Sequence, residues 1–221
     1  DYIDLLKDAE GTIPKSLFEG IDITWNRVAG GAAIAPLVQA LESSFDFKSP
    51  SKSIPQLLRI HQSILALPAS DWKRIKLADC EKLIKDCLGL FVELRTNKFK
   101  ASPGSELLVT LEVINRSNTE VRLVSMEVTS NDNVFALPST LVYNQGYTKE
   151  LTIQTPEQLS IPYWLIKHPE EGMYKVDQQK KRGTPADPPS ITAAVKIEIN
   201  GTSITLQAPV IYKTVDPAEG E

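Results

Sequence analysis

At 221 residues the chain has room for one large domain or two of about 100 residues each. Its 42% hydrophobic and 24% charged residues are ordinary for a globular protein, and no apolar run approaches the roughly 20 residues of a membrane span. A net charge of -4 without acidic blocks, and a single short basic cluster at Lys180-Lys181-Arg182, argue against nucleic acid as a partner.

Residues 1–31 show no sustained hydrophobic period and carry Gly11, Pro14, Gly20, Gly30 and Gly31, which predicts an irregular lead-in. The chain opens at Asp1 with neither an initiator Met nor a signal-peptide pattern and reads as a fragment. Leu17, Phe18, Ile21, Ile23 and Trp25 need cover, either from the helices that follow or from a neighbouring domain.

Residues 32–95 carry helical spacing. Ile34, Leu37, Val38, Leu41 and Phe45 form one stripe, with Pro36 tolerable in the first turn. Ser53 is a candidate cap before a second stripe of Leu57, Leu58, His61, Ile64 and Leu65, which stops at Pro68. Ser70 caps a third helix whose stripe is Leu77, Cys80, Ile84, Cys87 and Leu88. Short Pro- and Ser-rich links predict an antiparallel three-helix bundle. Cys80 and Cys87 lie about 10 Å apart along one helix, too far to bond, and read as small buried side chains; His61 reads as a helix-face residue.

After Pro103-Gly104 the period becomes two. Strands are predicted at 90–98, 106–115, 120–129, 148–154, 191–199 and 203–211, the last two joined by Asn200-Gly201, a pair suited to a type I′ hairpin turn. Six or seven strands without intervening helices predict an immunoglobulin-like antiparallel β-sandwich over 96–215, followed by a polar 216–221 tail. The fold class is thus α+β and multidomain, with a boundary near residue 95. Asn115-Arg116-Ser117 and Asn200-Gly201-Thr202 match the glycosylation pattern but sit where turns are needed.

Between the fourth and fifth predicted strands, a connection over 155–190 holds Tyr163, Trp164, Tyr174, His168, Glu170, Glu171 and Asp177. A connection of this length is either functional or folded over the sheet. The order of LFEGIDITWNRV (17–28), FDFKSP (45–50), the helical pair, NRS (115–117), SIPYWL (160–165), GMYKV (172–176), GTPADPP (183–189) and the terminal DPAEGE resembles the region after the catalytic domain of long bacterial PIG-L (LmbE-like) deacetylases. The resemblance covers most of the chain. It implies an N-acetyl-sugar deacetylase as parent, with zinc in an absent N-terminal domain, and a bacterial periplasmic or secreted setting.

That family's metal site uses a His-Pro-Asp-Asp motif and a later His-x-x-His. Lys167-His168-Pro169-Glu170-Glu171 imitates it, but with Glu for Asp and inside a late loop, and the second motif is absent. A catalytic zinc needs three protein ligands, so His168, Glu170 and Glu171 read as a decoy; no catalytic residue, metal site or cofactor is expected in this chain. The contact candidates are Trp25 and Arg27, facing an absent neighbour or packed within the chain, and Tyr163 and Trp164, forming a platform for a sugar ring or a strand covering the core.

The leading expectation is a non-catalytic accessory region that packs on the missing deacetylase domain or binds carbohydrate. The alternatives are a stand-alone carbohydrate-binding or adhesion module and an enzyme that uses His168, Glu170 or Glu171 and Asp177.

Overall fold

The computed structural model describes residues 20–128 and 133–214. Leu17, Phe18 and the 216–221 tail lie outside the described residues. The chain divides into two compact units: the residues up to Phe45 with Pro55–Cys80, and Asp46–Ile54 with everything from Glu81.

The first unit is helical. Helix α1 spans Ile34–Ser44, α2 spans Ile54–Leu65 and α3 spans Asp71–Leu88. As predicted, the Ser70 hydroxyl accepts the Lys73 N–H at 3.1 Å, satisfying one open donor of α3, and Asp71 sits favourably in its first turn. The end of α2 is closed by Lys73, whose Nζ donates to the Leu65 and Leu67 carbonyls at 2.7 Å each. Leu57, Leu58, His61 and Ile64 are buried, as the stripe requires, while Leu65 is exposed.

The predicted three-helix bundle is not formed. Among the described residues no two of these three helices run closely side by side over an extended stretch. The apolar stripe of α3 falls in both units: Cys80, in the first, meets the Leu57 carbonyl with Sγ at 3.7 Å, and Ile84 and Leu88, which belong to the second, are buried. An amphipathic stripe demands burial but does not name its partner.

In the second unit the strands are β1 (Phe91–Thr96), β2 (Glu106–Ile114), β3 (Val121–Val128), β4 (Asn133–Leu141), β5 (Gly146–Gln154), β6 (Thr192–Ile199) and β7 (Thr202–Tyr212). Six match the sequence pattern; β4 does not, because Pro138 argues against a ladder strand. Pro138 is tolerated because β4 is an edge strand and because β3 bulges opposite it, between Leu123 and Ser125. The bulge also shifts the alternation of β3, whose buried residues are Val121 and Leu123 before it and Met126 and Val128 after it.

The immunoglobulin-like sandwich is likewise corrected. All seven strands form one mixed sheet, barrel-like and nearly closed, in the order β4-β3-β6-β7-β1-β2-β5. Strand β7 runs antiparallel to β6 over Thr202–Pro209, then parallel to β1 over Val210–Tyr212, joining what would otherwise be two sheets. Alternation fixes which face of a strand is buried but not which strand lies beside it. The Asn200-Gly201 turn does form as expected, with φ of 48° and 77°.

Leu111 is fully buried at the centre of β2. Leu111→Ala is expected to lower the stability of the sheet unit by about 2–5 kcal/mol, measured as a lower midpoint in urea unfolding followed by far-ultraviolet circular dichroism.

Candidate functional site

The long connection carries no strand. After Thr155 it makes short 3₁₀ turns at Tyr163–Leu165 and Gln179–Lys181, with a tight reversal at Glu170–Met173 whose backbone bonds are both 3.0 Å. Tyr163 and Trp164 therefore do not form a strand over the core. Their rings meet edge to face, 4.9 Å apart at 88°.

Asp187 holds this region together. It accepts the Tyr163 N–H at 2.7 Å through one oxygen and the Lys181 ammonium at 3.0 Å through the other. The Tyr163 hydroxyl donates to the Thr184 carbonyl at 2.9 Å. The hydrogen bond from Lys181, then the Tyr163 amide, hold the Asp187 carboxyl below its ordinary value of 3.8.

These braces frame an open cleft of about 790 Å³ lined by aromatic rings of Tyr163, Trp164 and Tyr174 and by Asp177, Arg182 and Thr184. Its charges are largely matched: Lys175 pairs with Glu170, and Lys167 with Asp177 at 2.5 Å. Arg182 Nε donates to the Val176 carbonyl at 2.9 Å.

The zinc-like run lies in the tight reversal of the long connection and just before it. His168 is exposed and its Nδ1 lies 2.9 Å from the Pro169 carbonyl oxygen, while Glu170 is taken by Lys175. Among the described residues no group of three or more His, Cys, Asp or Glu can hold a metal ion. Cys80 is buried, and burial, then the Asp86 charge, push the Cys87 thiol up, away from nucleophilic reactivity.

The other two contact candidates meet within the helical unit. Trp25 lies in a 3₁₀ turn capped by Thr24, and its ring packs edge-on against Trp72 at 6.2 Å. The Arg27 guanidinium lies 4.6 Å from the Trp72 ring centre and the Lys76 ammonium 5.0 Å from it. Ile21 and Ile23, which the sequence required to be covered, are exposed.

Sequence reasoning missed Trp72 and Asp187. Trp72 could have been found as a large ring one turn before Lys76 on the same helix face. Asp187 could not, since its partner is 24 residues away and only the fold brings them together.

A Cβ on Gly31 would lie 2.2 Å from the Trp25 carbonyl oxygen. Gly31→Ala is thus expected to destabilise the helical unit by about 1–3 kcal/mol, read as a lower melting temperature in tryptophan emission. A folded carboxyl pKa held low gives stability that is present above the ordinary value and lost as pH falls through the lowered one. Trp164 emission in a Trp25→Phe, Trp72→Phe background should change as pH drops below 3.8, and Asp187→Asn should remove that step.

No family model matches the chain, and no curated protein matches it. Among solved structures, the sporulation control protein Spo0M of Bacillus subtilis is 12% identical, with a TM-score of 0.25, over 55% of this chain and 49% of its own. The alkylpurine DNA glycosylase AlkC of Pseudomonas fluorescens, bound to DNA containing an abasic site analog, is 10% identical, with a TM-score of 0.24, over 86% of this chain and 55% of its own. The chain spans about half the length of these structures. At such TM-scores neither likeness carries an argument about fold or function.

Proposed function

We propose that this chain is a non-catalytic accessory region, of the kind that follows the enzyme domain in PIG-L-like deacetylases, and that the cleft of the long connection binds carbohydrate. The observation that carries this reading is the grouping of Tyr163, Trp164 and Tyr174 around one open space with Asp177, Arg182 and Thr184 at its rim. Sugar rings present an apolar face of C–H bonds and an edge of hydroxyls. Aromatic faces suit the first, and a few fixed polar groups suit the second.

Two features support binding over chemistry. The acids and bases beside the cleft are engaged in ion pairs, as Lys175 is with Glu170 and Lys167 with Asp177. The space is also of ligand size, within the roughly 300–1,000 Å³ of typical small-molecule sites.

Isothermal titration with N-acetylglucosamine oligomers tests the reading. Binding is expected in the micromolar to millimolar range, and Trp164→Ala should weaken it by about tenfold, the loss of one good stacking contact. An affinity that Trp164→Ala leaves unchanged, or no heat at millimolar sugar, would overturn the assignment of the cleft.

A further inference from the structure

We infer that the ring held in this cleft carries a carboxylate, as uronic-acid sugars do; the inference rests on the carbohydrate reading above and specifies its ligand. Lys167, Lys175 and Lys181 are each matched by a carboxylate, namely Asp177, Glu170 and Asp187. Arg182 has no acidic partner among the described residues.

Its position is nevertheless fixed. Nε donates to the Val176 carbonyl at 2.9 Å, which holds one edge of the guanidinium against the backbone. The two terminal nitrogens make no hydrogen bond to the described residues, and Arg182, which lines the cleft, is exposed to solvent. A guanidinium oriented through Nε presents a planar fork to a planar anion, the geometry that binds a carboxylate through two parallel hydrogen bonds. Neutral hydroxyls would use these donors singly. Tyr163 and Trp164 line the same cleft with their rings at 88° to one another, so one of the two offers its face to a sugar ring whose carboxylate Arg182 meets. The whole chain is acidic, at -4, so the preference must come from this local group and not from a general attraction for anions.

The test compares oligogalacturonate as the free acid with its methyl ester, identical in ring and length but uncharged. The free acid is expected to bind the wild-type protein about tenfold more tightly, as a charge-assisted pair implies. Arg182→Gln should bring the two affinities together, and Arg182→Lys should restore only part of the difference. Raising the salt concentration should weaken the acid form alone. Equal affinities for both forms in the wild type, with both weakened by Trp164→Ala, would overturn this inference and leave the carbohydrate reading standing. If neither form binds, this inference falls and the carbohydrate reading is decided by the titration with N-acetylglucosamine oligomers; if Trp164→Ala leaves the binding of both forms unchanged, both readings fall.

Discussion

The β-rich unit depends on one strand changing partners. Over Thr202–Pro209 β7 completes an antiparallel ladder with β6, and over Val210–Tyr212 it lies parallel to β1. Parallel pairing between distant segments of chain brings little local stability until the fold around it exists. Here it is reinforced from outside by charge. Lys213, just past β7, reaches Glu93 on β1 at 3.4 Å, and Arg95 bridges Glu93 at 3.6 Å and Glu112 on β2 at 2.8 Å. These groups are only partly exposed, so Lys213 and Glu93 hold the seam, and Arg95 with Glu112 the neighbouring β1–β2 pair, more firmly than solvated pairs would. Pro209, which has no N–H to give, stands where one pairing gives way to the other.

The long connection is built differently. It has no ladder and few buried side chains, so its order comes from hydrogen bonds made across its own length. Asp187 ties its end to its aromatic beginning, Arg182 and Val176 tie its middle, and Gly172 and Gly183, at φ of 76° and 80°, permit left-handed backbone in two of its turns. Such a frame holds rings at a surface without burying them. That arrangement leaves aromatic surface accessible, which a hydrophobic core does not.

Much of the fold was legible because local chemistry decided it. The Ser70 cap, the stripe of α2, the alternation of β2 and the Asn200-Gly201 turn each follow from residues within one turn or one hairpin. Asn115 is similar: buried to 1% exposure, its side chain is spent on Thr119 and Ser117, so the turn reading of that site holds. The partnerships were not legible. The bundle and the sandwich both assumed that neighbours in sequence pack as neighbours in space, and both yielded to α3 dividing its stripe and β7 crossing to β1. In the site, the adjacent Tyr163 and Trp164 announced themselves as aromatic residues in a polar connection. Their supporting contacts to Thr184 and Asp187 did not, since they span more than 20 residues of irregular chain.

The nearly closed sheet still has two edge strands, β4 and β5, and their composition affects how molecules of this protein behave when crowded together. On β4 the bulge of β3 and the missing donor at Pro138 break the row of backbone groups that a foreign strand would need. On β5 the nine-residue row is regular, but Lys149 stands exposed on the face that Tyr147, Leu151 and Ile153 share, and the exposed Glu150 lies beside it on the other face. One edge is blunted by geometry and the other by charge. Growth of the sheet from molecule to molecule, the first step toward amyloid-like stacking, is therefore opposed at both ends.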